Sequence, residues 1–233
     1  MALTEDDLRS PSSDTAIVER IVSAVMEQRL CAGAKLAEAA LCEAFDCSRT
    51  QIRRILVVLA ERGVVKLHAN RGAFIASPEV AEAREVFEAR RAVERSIMMT
   101  AATRADAATL AELRANAEAG ARAEIRGERG ESIRLSGQFH LRIAEVAGNS
   151  VLAKFLEDLV ARTSLIIGLY GARNGRSCSE EDHVALVEAL ATRDPLRAAD
   201  AMERHLEHVE AGLDISERIE DAPDLKTLFA RST

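Results

Sequence analysis

No tryptophan occurs in this 233-residue chain, and aromatic residues make up only 3% of it. A β-sandwich core is therefore not expected, and an interior of Ala, Leu and Ile carried on helices is. No apolar run approaches the roughly 20 residues needed to cross a bilayer. Thr4-Glu5-Asp6-Asp7 places acid where a secretory signal has its cationic and apolar regions, so a cytoplasmic protein is expected. The four cysteines (Cys31, Cys42, Cys47 and Cys178) show no Cys-x-x-Cys spacing, which leaves no sequence sign of a disulfide framework or thiolate metal site. Cys42 and Cys47 flank a helix break, as small apolar fillers or as a redox pair.

What the chain does contain is charge, 30% of its residues, distributed unevenly. Its net charge of −7 argues against nucleic acid until the chain is divided. Residues 15–78 carry nine Lys and Arg against six Asp and Glu, whereas residues 79–233 carry twenty-one against twenty-eight. The length suits two small domains, and the basic excess is confined to the first. The expected division is a polar arm over 1–13, a first domain over 14–77 and a second over 78–233. Ser77 is the expected N-cap of the following helix, with Pro78 at its first position.

The first domain reads as a winged helix-turn-helix. A support helix starts at Asp14 or Thr15 and carries Ile17, Ile21 and Val25 on one side. Leu36, Ala40 and Leu41 belong to a second helix, and Ile52, Ile55, Leu56 and Leu59 to a third. Asp46-Cys47-Ser48 separates these two, with Ser48 as N-cap and Gly63 as the stop. Val64–Leu67 and Ala73–Ala76 are strand-like runs around a hairpin tip at His68–Gly72. The third helix carries Arg49, Arg53 and Arg54 early, where a recognition helix meets base edges, and arginine suits the paired acceptors of guanine. Thr50 and Gln51 are its polar positioning residues. A solvated basic helix is the plainer reading, but break, glycine and hairpin follow in register, which favours DNA.

These residues resemble the DNA-binding domain of GntR-type bacterial transcription regulators. Gly33, Leu36 and Glu38 match the entry pattern; Ser48, Arg49, Thr50 and Arg53 match the recognition helix; Asn70, Arg71, Gly72, Ala73 and Phe74 match the wing. The resemblance implies operator contacts by Lys35, Ser48, Arg49, Thr50, Gln51, Arg53, Asn70, Arg71 and Gly72. Two positions depart from the pattern: Ala39 stands where an Arg is common, and Arg54 where a Glu is usual.

Beyond Pro78 only helical periodicity is visible, in six or so segments that read as an antiparallel all-α bundle. Their apolar markers include Val86–Ile97, Leu110–Ile125, Leu135–Val146 and Leu152–Ile166, with Phe155 among the last set. Two shorter helices surround Leu186 and Met202, the second starting at Asp194-Pro195. Three histidines (His140, His183 and His205) fall on inward faces of three different helices. One such histidine is ordinarily a satisfied core residue; three sharing a centre suit a divalent metal. Arg90 falls on the inward face of its helix with Glu94 one turn on, either as an intrahelical ion pair or as a clamp for a carboxylate ligand.

This second half resembles the FCD ligand-binding domain, over roughly residues 84–211. The matching pieces are Val86–Arg90 with Glu94, Phe139-His140, Ala147-Gly148-Asn149, Glu181-Asp182-His183 and Asp194 through His205. The resemblance implies a divalent metal, Zn or Ni, on His140, His183 and His205. A small organic acid would be held by Arg90, Glu94, Ser136 and Asn149. Ser136 stands where the family has a metal-binding Asp. His208, three residues after His205, either faces the pocket or lies beside it.

Together these features imply a homodimeric regulator, by resemblance a repressor, that binds a palindromic operator and answers to a small carboxylate, with no catalytic residues. Two alternatives stand beside it: a direct metal sensor and a metal-dependent helical-bundle enzyme. The Glu-x-x-His motif of di-iron bundles occurs once, at Glu180 and His183, where two copies are needed.

Overall fold

The computed structural model describes residues 13–171 and 180–214. Helix α1 (Asp14–Met26) is capped by Ser13, whose Oγ accepts the Ala16 N–H, and it buries Ile17, Val18, Ile21, Val22 and Val25. Helices α2 (Glu38–Phe45) and α3 (Arg49–Glu61) are separated by Asp46, which takes a left-handed conformation at φ 48°. Ser48 caps α3 by accepting the Gln51 N–H, and Gly63 follows its end at φ 71°.

Strands β2 (Val65–His68) and β3 (Gly72–Ile75) form the expected wing hairpin. A third strand, β1 (Lys35–Leu36), pairs with the far edge of β3, Lys35 opposite Phe74 and Leu36 opposite Ala73. The wing is thus a three-stranded sheet rather than a lone hairpin, in the order β1-β3-β2. The next helix also begins later than its sequence suggests. Ser77 is not its cap; the cap position is Glu79, because Pro78 lies outside the helix with its carbonyl oxygen accepting the Tyr170 hydroxyl at 2.9 Å.

Six further helices follow: α4 (Val80–Arg104), α5 (Ala107–Ile125), α6 (Arg129–Ala147), α7 (Ser150–Tyr170), α8 (Glu180–Ala191) and α9 (Pro195–Ala211). Their N-termini are set by short polar side chains, with Asp106, Asn149 and Asp194 each accepting first-turn N–H groups. Periodicity located all six, yet two of its apolar markers are outside the core. Ile125 is 81% exposed and Phe155 57%. The arm through residue 12, and Cys178 in the break after Gly171, lie outside the described residues.

The two halves are not separated by solvent. The larger apolar cluster runs continuously from Ile17, Val25 and Met26 of the head into Phe139, Leu156 and Val160 of the bundle. Among the described residues no helix is long and apolar enough to cross a membrane.

Candidate functional site

The basic face of the head has two parts. On α3, Arg49 and Thr50 are exposed, and among the described residues Arg49 makes no hydrogen bond or ion pair. Arg53 is also exposed, but its Nε meets both oxygens of Glu38 at 3.0 and 3.1 Å, so the entry-motif acid orients a recognition-helix cation. Arg54 pairs with Asp14 of α1. Gln51 turns the same way, its amide donating to Asp14 at 3.0 Å, and so braces α3 against α1 instead of facing outward. Ser48 is committed to capping.

On the wing, Asn70 and Gly72 both adopt positive φ (62° and 94°), which makes the tight tip. Phe74 is flanked by two cations, the Lys35 ammonium 6.0 Å and the Arg71 guanidinium 5.7 Å from its ring centre. The β1–β3 pairing is what brings Lys35 beside the wing. A basic, exposed helix beside a basic wing is the shape that grips a duplex through groove and backbone.

The second constellation is buried in the bundle. His140 on α6, His183 on α8 and His205 on α9 are 2%, 6% and 4% exposed. Each offers a ring nitrogen, and these nitrogens all lie within 4.8 Å of one another. His140 and His205 are stacked with ring centres 5.3 Å apart, and His183 stacks on Phe139 at 4.5 Å. His140 Nδ1 meets Glu94 of α4, which leaves Nε2 with its lone pair towards the centre. The other Glu94 oxygen receives Arg90 Nε at 2.7 Å. The Arg90–Glu94 pair is therefore a buried one, not the surface ion pair its i, i+4 spacing also allowed.

Burial sets the protonation. Desolvation holds His183 down to about 3 and His205 well below its ordinary value, with the neighbouring imidazoles and Arg90 acting in the same direction. His140 is lowered too, burial outweighing the pull of Glu94. Burial alone would raise Glu94; Arg90 and His140 outweigh it and bring its carboxyl to about 2. At neutral pH the centre therefore presents three neutral imidazoles, one carboxylate and one guanidinium, which is donor chemistry for a divalent metal.

A cavity of about 20 Å³ opens beside this centre, room for one water or one ion. Arg90, Ser132, Ser136, His140 and His205 supply its polar lining, and Ile133, Ile167 and Val209 the rest. Arg90 Nη2 is buried with no hydrogen-bond partner, an N–H donor left for an acceptor that enters. Of the residues expected here, Ser136 is in place. Asn149 is not, because its side-chain oxygen caps α7 through the Val151 and Leu152 N–H groups. His208 is on the outside, 69% exposed and beside Asp182. The cavity residue sequence reasoning missed with a usable signal is Ser132, four before Ser136 on the same helical face.

A winged helix-turn-helix fused to a helical domain with a buried ligand-type centre defines a DNA-binding regulator with a sensing domain. The chain belongs to the gntR family of bacterial regulatory proteins: that family's model matches residues 14–75, and the FCD domain model matches residues 85–208. It is accordingly a GntR-family transcription regulator with an FCD effector-binding domain, and these families are not enzymes. The fold is shared with E. coli McbR/YncC at a TM-score of 0.76 and 18% identity, over 85% of this chain and 95% of that one. It is also shared with a GntR regulator from Rhodococcus sp. RHA1, TM-score 0.72 and 22% identity, over 86% and 96%. No curated protein matches the chain.

Proposed function

We propose that the protein is a homodimeric repressor acting in the cytoplasm, released from a palindromic operator when a small carboxylate binds in the bundle beside a divalent metal. The observation that carries the sensing half is the buried Arg90 Nη2, a donor with no acceptor, beside three mutually close, neutral imidazoles. Zn²⁺ or Ni²⁺ on His140, His183 and His205 would supply a Lewis-acidic centre, and Arg90 would receive the carboxylate of the acid. Ser136 stands where an Asp would add charge. With Arg90 and Glu94 cancelling, a bound dication leaves the pocket positive, and an incoming carboxylate offsets that charge. The small-acid class follows from this balance and from the apolar walls of Ile133, Ile167 and Val209.

In the head, Arg49 and Arg53 would read base edges, and Thr50 would meet phosphates, with Ser48 holding the start of their helix in place. Lys35, Asn70, Arg71 and Gly72 would bring the wing to the backbone and minor groove. A two-fold dimer would place recognition helices on half-sites centred about 34 Å apart.

A direct metal sensor is the second reading, and the cavity size favours it, since about 20 Å³ admits an ion without any wall movement. Elemental analysis of purified protein, with His140→Ala as control, tests the metal in both readings. Near-stoichiometric metal lost in the variant supports it, and no metal in either leaves the histidines and Arg90 as a plain anion pocket. Operator release by metal alone, with no acid, selects the sensor.

A further inference from the structure

Helix α1 ends in an unusual turn. Gln28 takes the left-handed conformation at φ 57°, a position that glycine ordinarily fills at a helix end. The turn is closed by the Arg29 and Leu30 N–H groups, which both donate to the Ala24 carbonyl at 2.9 and 3.0 Å. Three consecutive residues of this turn rest on three glycines of the bundle. A Cβ on Gly137 would lie 2.5 Å from the Met26 methyl, one on Gly130 2.1 Å from the Glu27 carbonyl oxygen, and one on Gly168 2.2 Å from Gln28 Oε1. The Gly130 contact is to backbone and cannot yield, whereas the Met26 and Gln28 side chains would have to leave their places for a Cβ to fit. Within this seat Gln28 also reaches across to α7, its Nε2 donating to the Ser164 carbonyl at 2.8 Å.

The same two helices wall the cavity from the other side. Along α6, Gly130 and Gly137 face the head, whereas Ile133, Ser136 and His140 face the cavity. Along α7, Gly168 faces the head, and its neighbour Ile167 faces the cavity. The cavity holds about 20 Å³, so an occupant larger than a water must displace part of its wall, which α6 and α7 share with Arg90 of α4 and His205 and Val209 of α9. Where α6 or α7 yields, its displacement reaches the turn seated against the other face, through the Glu27 carbonyl at Gly130 and the Gln28 bond to Ser164.

We infer that the Met26–Gln28 turn is the contact through which cavity occupancy reaches the DNA-binding head, with Gln28 as its positioning residue. The inference rests on the reading of the cavity as a ligand site. Gln28 contacts neither DNA-facing residues nor the cavity, so its part is to make the affinities of the two sites depend on each other. Linkage requires that dependence to be reciprocal.

The test uses the full chain, a DNA site selected from random sequence with the purified protein, and Zn²⁺ with citrate as the cavity probe. Two ratios are measured: DNA affinity with and without the probe, and probe affinity with and without DNA. In the wild type the two ratios agree, at about fivefold or more, the ordinary lower range of coupling. In Gln28→Gly, which keeps the left-handed turn without strain, both single affinities stay within about twofold of wild type while both ratios fall towards one. Gly168→Ala, which drives the Gln28 amide from its place, lowers the ratios as well. Wild-type ratios in both variants, or ratios of one in a wild type that binds the probe, overturn the inference. A wild type that binds neither Zn²⁺ nor citrate overturns the ligand reading itself, and the inference with it.

Discussion

Glu94 holds His140 by its Nδ1, across the gap between α4 and α6. That contact fixes which nitrogen of the imidazole faces the centre, and Arg90 fixes Glu94 in turn. A carboxylate behind a metal-binding histidine raises its basicity as well as orienting it. Glu94→Gln keeps the shape and removes the charge. The expected result is a 10- to 100-fold loss of Zn²⁺ affinity, read by competition with a chromophoric chelator. An unchanged affinity would show that packing against Phe139, at 5.8 Å between ring centres, orients His140 unaided.

The same buried groups make stability depend on pH. An unfolded chain protonates each histidine below about 6.5, whereas in the fold His183 does so only near 3 and His205 and His140 are also lowered. The unfolded state thus binds more protons as pH falls, and acid costs roughly 1.4 kcal/mol per pH unit for each histidine that stays neutral. His183 alone should cost the metal-free protein roughly 1.4 kcal/mol between pH 7.5 and 5.5, with His205 and His140 adding to the loss, as measured by urea unfolding. Glu94, held at about 2, adds a further loss as pH falls below its unfolded value of 4.5. His183→Leu should remove roughly that 1.4 kcal/mol from the loss between pH 7.5 and 5.5. A slope equal to wild type would mean that His183 is protonated in the fold.

Much of this molecule was legible in its sequence because helical periodicity is a local signal. The six bundle helices and the inward faces of His140, His183 and His205 follow from spacing, and the Ser48 cap and the Gly63 stop from residue type at a helix end. What was not legible depends on partners distant in the chain. Strand β1 is two residues long and exists because β3 offers it an edge. Glu94 looked like an ion-pair partner for Arg90, and nothing local shows that its second oxygen belongs to His140, 46 residues on. Gly130, Gly137 and Gly168 look like weak points in helices until the end of α1 is seen resting on them. Resemblance places Asn149 in the pocket, but its position after Gly148 also fits a plain helix cap, and capping is what it does.

The α3 arginines have different roles and should fail differently. Arg49 is unpaired among the described residues, while Arg53 is already held by Glu38. Arg49→Ala should weaken specific DNA binding by about 1–3 kcal/mol, the worth of a good bidentate base contact, and relax sequence preference at one position. Arg71→Ala on the wing should instead weaken all sequences alike and lower the salt slope by about one. Affinity titrations against specific and scrambled DNA at several salt concentrations separate the two. Arg49→Ala with full discrimination would move base reading elsewhere on the head.

Ser136 faces the cavity beside His140 and His205 but brings no charge. With Glu94 ionised against Arg90, a dication on three neutral imidazoles leaves the buried centre at about two positive charges, an expensive state in a poorly solvated site. A carboxylate entering with the metal relieves it, so metal and acid should bind cooperatively here. Ser136→Asp supplies that charge from the protein, one helical turn from His140. The variant should therefore bind Zn²⁺ alone at least about tenfold more tightly, since a single added charge–charge contact in such a site exceeds 1.4 kcal/mol. It should also show less enhancement of Zn²⁺ binding by citrate than the wild type does. Calorimetric titration of both proteins, with and without citrate, measures the two effects together. Tighter Zn²⁺ binding with undiminished citrate enhancement would mean that the acid answers to Arg90 alone and that metal charge has no part in holding it.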